Sequence, residues 1–210
     1  MLQNIPVVYE DEFLLIVNKP PGLLTIAGPD ADTRHLTLIL NEDAAKEGKS
    51  YRLHPCHRLD KETSGLVIYA KGKVLQQQMM EMFRQHLVRK VYRAFAHGRI
   101  KEDEGVIRRA VEGKNAVTHF KVVKRLSECT ILDVLPQTGR KNQIRLHFKS
   151  IGHPLVGESK FIFRKDFSLR AKRLCLHAGS LEFSHPVSKK NIQVQCPLAN
   201  DMEKFMLEHA

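Results

Sequence analysis

The chain is 210 residues long, enough for one substantial hydrophobic core, and its 42% apolar and 27% charged residues suit a globular protein rather than a disordered or fibrous one. No run approaches the roughly 18 apolar residues of a membrane span, "MLQNIPVVYEDE" lacks the order of a signal peptide, and Cys56, Cys129, Cys175 and Cys196 are too scattered for a disulfide framework, so a cytoplasmic protein with free buried thiols is expected. The 34 Lys and Arg against 23 Asp and Glu leave a formal net charge of +11, which favours a polyanionic partner, nucleic acid first.

In chain order, apolar stretches at Val7 to Tyr9 and Phe13 to Val17 flank an acidic turn and end at Pro20, Pro21 and Gly22, which predicts a hairpin. "TRHLTLILNEDAAKEG" reads as a helix with Leu36, Ile39 and Leu40 on its apolar stripe, Thr33 at its cap and Gly48 at its stop. "LVIYA" (66–70) has the length and β-branched content of a buried strand, a helix spans about 73–86, and "KVYRAFAHG" is a further strand. Two β-rich runs turn at Ser127 and Glu128. "TGRKNQIRLHFKSIG" predicts a helix capped by Thr138, with Ile144, Phe148 and Ile151 on one stripe and Lys141, Arg145 and Lys149 on a basic, solvent-facing one. Short strands at 174–177, 181–183 and 192–195 precede a C-terminal helix from about Asp201. Adjacent strands interrupted by helices, with no internal linker, predict a single α+β domain over 1–210 with a mixed, mostly antiparallel sheet and flanking helices.

The stretch "HPCHRLDKETSG" (54–65) concentrates the chemistry. His54, Cys56 and His57 are metal-ligand types, but no second Cys/His pair follows at finger-like spacing. Cys56 beside His57 is the composition of an activated thiol, yet neighbours on an extended segment point to opposite sides, and a small buried thiol is the commoner fate. Asp60 either carries chemistry or shapes a turn completed by Thr63, Ser64 and Gly65; from the loop alone the turn role is the more frequent.

The order "VNKPPGLLT" (17–25), "HRLDKETSGLVIYAK" (57–71), "RKVYRAFAHG" (89–98), "TGRKNQIRLHFKSIGHPLVGE" (138–158) and "LCLHAGSLEFSHP" (174–186) resembles the RNA pseudouridine synthases of the RluA family over nearly the whole chain. HRLD-x-x-TSG followed by GR-x-x-QIR-x-H is a specific combination. The resemblance implies the pseudouridine synthase fold with a central RNA-binding cleft, and isomerisation of uridine in rRNA or tRNA stem-loops without metal or organic cofactor. It implies Asp60 as the catalytic carboxylate, acting at C1′ or C2′ of the sugar, and Arg145 as the cation that keeps it ionised. Tyr92 would lie against the target uracil. Arg58 would fill the space left by the flipped nucleotide, Leu176 would line the uracil pocket, and Lys141 would contact RNA.

His57, Thr63, Ser64 and Gly65 are expected to hold the loop in shape. The sequence departs from the family pattern at 142, where Asn stands for a frequent His, and after "GHPLVG", where "ESKF" replaces the commoner Asp-x-x-Tyr. Many relatives carry an N-terminal S4-type domain that does not show in this sequence, so recognition is expected from the catalytic domain's own basic surface, acting as a monomer. The competing reading is an RNA-binding or RNA-remodelling protein with incidental or lost isomerase activity.

Overall fold

The computed structural model describes residues 5–28, 34–162 and 167–209. Its elements are β1 (Val7–Glu10), β2 (Leu14–Lys19), α1 (Leu36–Lys46), β3 (Leu53–Pro55), β4 (Ser64–Lys71), α2 (Lys73–Arg84), β5 (Arg89–His97), β6 (Glu104–Arg108), β7 (Val117–Arg125), β8 (Cys129–Pro136), α3 (Gln143–Ser150), β9 (Leu176–Ser184), β10 (Asn191–Gln195) and α4 (Asn200–Glu208). Sheet with four helices makes the fold α+β, and the registered strand pairs are antiparallel. By contacts the chain forms two compact units, Met1–Val88 with Ser180–Cys196, and Arg89–Gly179 with Pro197–Ala210.

In the first unit the strand order is β1-β2-β4-β9, with β3 paired to β4 and β10 to β9. Residues 64–70 of β4 are all buried, which is why this strand reads as a continuous apolar run rather than an alternation. The amphipathic α2 sends Leu75 and Met79 into a core with Leu14, Ile16, Leu66, Ile68, Leu181 and Phe183.

In the second unit the order is β9-β5-β8-β7-β6. Alternation along β5 puts Ala94 and Ala96 in a cluster with Leu132, Val134, Phe120 and the α3 residues Ile144 and Phe148. Phe95 enters a second cluster with Ile131, Cys129 and the α4 residues Met202 and Phe205. A Cβ at Gly105 would lie 2.6 Å from the Phe120 ring, so the small residue on β6 is what lets that ring lie across its strand partner.

The β1/β2 and β7/β8 hairpins, β4, α2, β5, β10 and α4 stand where the sequence places them. The α1 cap is His35, whose Nδ1 accepts the Leu38 N–H at 3.2 Å; the expected cap Thr33 lies outside the described residues. Gly48 follows the end of that helix, donating its N–H to the Ala45 carbonyl. Three expectations need correction. The two runs expected at 174–177 and 181–183 give way to the single strand β9, which begins at Leu176 and continues through Gly179 and Ser180, the latter paired with Gln195. Strands β3 and β6 went unread, one being three residues long and the other, "EGVIR", offering only two apolar residues, side by side rather than alternating. Helix α3 starts five residues after Thr138, at Gln143, because Asn142 sits at φ 55° and the Thr138 hydroxyl is bonded to the Gln143 side chain instead of capping. No helix among the described residues is long and apolar enough to cross a membrane.

Candidate active site

The Asp60 loop connects β3 to β4 in the first unit. The Cys56 N–H donates to the Ile68 carbonyl at 2.9 Å while its side chain enters the core, and burial pushes the thiol up to about 12, which suits packing and not attack. His57 Nε2 accepts the Ile68 N–H at 3.1 Å, and its ring lies 4.8 Å from that of Phe83. Both residues therefore fasten the loop to β4. Among the described residues no group of three or more His, Cys, Asp or Glu is placed to hold a metal ion.

The backbone on either side of Asp60 is gripped by the segment that follows β2. The buried Thr25 hydroxyl donates to the Leu59 carbonyl at 3.0 Å and accepts the Leu59 N–H at 3.1 Å. On the other side the Lys61 carbonyl accepts from the Gly22 N–H at 2.8 Å and from Lys19 Nζ at 3.2 Å. Lys19 is fully buried, and Nζ also donates to the carbonyls of Pro20 at 2.9 Å and Leu23 at 2.7 Å. A buried ammonium is tolerable only when so surrounded, and here it cross-links two loops. The turn itself is closed by the Thr63 N–H on the Asp60 main-chain carbonyl at 3.1 Å. Asp60 is half-buried and Arg58 exposed, while Thr63 and Ser64 are buried as loop-shaping residues.

In the second unit Arg145 is buried on α3, which corrects its expected place on a solvated basic stripe. Its Nε donates to Glu158 Oε2 at 2.7 Å, its Nη2 to Glu158 Oε1 at 2.7 Å, and its Nη1 to Asn142 Oδ1 at 3.1 Å. The guanidinium lies over the Phe161 ring, 4.8 Å from its centroid. Burial alone would raise the Glu158 carboxyl; the Arg145 bonds and charge and the Lys160 and Phe161 N–H groups outweigh it and hold the group below its ordinary range. Of the other two stripe residues, Lys149 is exposed on α3 and Lys141 is exposed on the turn before it. Ile151, expected in the core, is 39% exposed.

The start of α3 is built around Gln143, buried with all four hydrogen-bonding positions used. Its Oε1 accepts from the Thr138 hydroxyl at 2.7 Å and the Arg140 N–H at 3.0 Å, and its Nε2 donates to Val117 O at 3.0 Å and Thr118 Oγ1 at 2.9 Å. The His147 Nε2–H donates to the Arg109 carbonyl at 2.8 Å, tying the helix to the loop after β6. Arg109, Lys114, Arg140 and Lys141 are exposed on these loops, with Arg108 exposed at the end of β6, and Arg140 Nε bonds Asn115 O at 3.2 Å to link them. Tyr92, half-buried on β5 opposite Val134, packs against the cluster that contains Ile144, Phe148 and the buried Leu176. Asp60 and Arg58 thus share one loop of the first unit, and Tyr92, Lys141, Arg145 and Leu176 belong to the second.

The model of the family described as RNA pseudouridylate synthase matches residues 13–150, which take in Arg58, Asp60, Tyr92, Lys141 and Arg145. The chain belongs to this family. A dual-specificity RNA pseudouridine synthase RluA of Vibrio cholerae is 32% identical, the match covering 98% of this chain and 88% of the relative. An uncharacterized RNA pseudouridine synthase of Bacillus subtilis, YlyB, is 33% identical over 97% of this chain and 72% of its own, and ribosomal large subunit pseudouridine synthase C of Buchnera aphidicola is 32% identical over 93% and 67%. The solved human RNA pseudouridylate synthase domain containing 4 shares the fold, with a TM-score of 0.78 at 24% identity over 94% of this chain and 90% of that one. The protein is an RNA pseudouridine synthase, an enzyme that isomerises uridine in RNA.

Several parts of this synthase escaped the sequence reading. Lys19 and Thr25 stood inside a quoted motif without a role, and the adjacent prolines of "NKPPG" were the signal that a fixed turn was needed there. Gln143 was named only within its motif, and Glu158 and Asn142 only as departures.

Proposed function

We propose that Asp60 is the catalytic carboxylate of this pseudouridine synthase, acting on a uridine flipped out of a stem-loop. The observation that carries the reading is the double clasp on the backbone at Leu59 and Lys61, which fixes the main chain on both sides of the aspartate. The carboxylate works at the sugar, as a nucleophile at C1′ or a base at C2′. The N1–C1′ bond breaks, the uracil turns and a C5–C1′ bond forms while the carboxylate gives back its C1′ bond or the C2′ proton; the C5 proton passes to water and N1 takes one up. Arg145 supplies the positive charge that keeps the carboxylate ionised, and Tyr92 lies against the uracil. Arg58 fills the vacated stack, Leu176 lines the base pocket, and Lys141 with its neighbouring cations holds phosphates.

The RNA is rRNA or tRNA, read in a single-stranded loop where extrusion is cheapest; the relative named for the large ribosomal subunit supports the first of these. We further propose that the two units work as one catalytic domain, in a monomer, in the cytoplasm. Tritium release from [5-³H]uridine-labelled rRNA and tRNA transcripts tests the central assignment. Wild type releases tritium, and Asp60→Asn loses at least about 10³-fold in rate with RNA affinity within a few fold. A near-normal rate for Asp60→Asn sinks the assignment.

A further inference from the structure

We propose that Glu158 and Asn142 are a pair of positioning residues that set the plane and direction of the Arg145 guanidinium for the isomerisation; this rests on the reading that Arg145 serves the reaction. The three guanidinium nitrogens are each bonded, Nε and Nη2 to the two oxygens of Glu158 and Nη1 to Asn142 Oδ1 on the other side. Phe161 covers one face of the plane. Bidentate bonding plus a third bond from a different direction leaves a planar cation no rotation.

The clamp is itself immobilised. Glu158 Oε1 accepts the backbone N–H groups of Ser159 at 3.0 Å, Lys160 at 2.8 Å and Phe161 at 3.3 Å. The preceding Gly157, at φ 79°, is pressed so close to the Arg173 carbonyl that a Cβ there would lie 1.8 Å from the oxygen. Val156 is bonded through its N–H to Phe95 O and through its carbonyl to Cys175 N–H, both at 2.8 Å. Asn142 is held at φ 55° as the first residue before α3, its carbonyl accepting the Leu146 N–H at 3.0 Å.

A buried ion pair yields little net stability over a packed apolar pair, so this much fixing of one guanidinium is better explained by orientation than by strength. The sequence departs from the pattern it resembles at 142, 158 and 161, and all three residues touch the same side chain.

The test compares kcat and KM for tritium release from [5-³H]uridine-labelled rRNA and tRNA transcripts, with folding checked by thermal melts of each variant. Glu158→Gln lowers kcat about 10²-fold with KM within threefold, and Glu158→Asp, which keeps the charge, recovers about tenfold of that loss. Asn142→Gly, which keeps the positive φ without strain, lowers kcat about tenfold at unchanged melting temperature, and decides the matter alone should Glu158→Gln not fold. Wild-type kcat in folded Glu158→Gln or in Asn142→Gly, a loss confined to KM, or no recovery in Glu158→Asp overturns the clamp. Arg145→Met separates the two ideas. If it keeps full rate, the role of Arg145 falls and the clamp with it. If it is inactive while the Glu158 and Asn142 variants are normal, only the clamp falls.

Discussion

The loop that carries Asp60 and the helix that carries Arg145 are held by opposite means. Around Asp60 the bonds run to main-chain atoms of Leu59 and Lys61, from Thr25, Gly22 and Lys19, and the turn closes on the Asp60 main-chain carbonyl. Arg145 is held through its own guanidinium, by Glu158 and Asn142. The backbone at 59 and 61 is thus fixed by bonds from neighbouring segments, whereas at 145 the functional group is also a structural one. Removing the cation at 145 should cost stability and activity together, whereas the bonds around Asp60 can be loosened one at a time.

The largest expected effect is on the coupled side. Arg145→Met leaves the buried Glu158 carboxylate without its cation and should destabilise the protein by about 3–5 kcal/mol, read as a drop in the urea midpoint at neutral pH. A cost under about 1 kcal/mol would mean that Glu158 relaxes to water and that the two regions are alike.

Lys19→Met comes next. It keeps the shape of the buried stem but leaves the carbonyls of Pro20, Leu23 and Lys61 without their shared donor, and should cost about 2–4 kcal/mol. Because it loosens the backbone at Lys61, which keeps only the Gly22 N–H bond from this clasp, turnover should fall further than the unfolded fraction explains, as measured by tritium release well below the melting temperature. A loss of stability with unchanged turnover would show that the clasp supports the fold alone.

A smaller effect is expected from pH. The folded Glu158 carboxyl is held below its ordinary value of 4.5, so it contributes stability that is present above that value and lost as pH falls through the folded one. The stability gap between wild type and Arg145→Met should therefore narrow between about pH 5 and pH 3 in urea melts. A constant gap would mean the carboxylate is not what Arg145 stabilises.

The smallest effect concerns the exposed loops. Lys141→Ala should weaken RNA binding a few fold, uniformly across sequences, and make the slope of log affinity against log salt shallower by about 1 in filter-binding titrations. A variant that changes which RNA is bound, with the slope intact, would make Lys141 a reader of bases.

Much of this was legible in the sequence because it is local. The apolar run of β4, the amphipathic α2 and the β7/β8 hairpin each announce themselves within one contiguous stretch of chain, through periodicity and turn chemistry. The motifs around Asp60, Tyr92 and Arg145 are contiguous strings and named the family before any coordinate did. The start of α3 was misplaced because Thr138 ahead of an amphipathic run resembles a helix cap; which group the hydroxyl meets depends on β7, which supplies Val117 and Thr118 as the other partners of Gln143.

The sequence by itself determined the α+β class, the order of most elements and the family, since these rest on short-range pattern and on motif identity. Only the tertiary structure decided that Lys19 lies buried against Lys61, 42 residues on, and that Arg145 leaves the solvent to meet Glu158, 13 residues on. A charged residue reads as surface in any one-dimensional pattern. Its burial depends on whether enough partners converge to replace water, and those partners come from other segments.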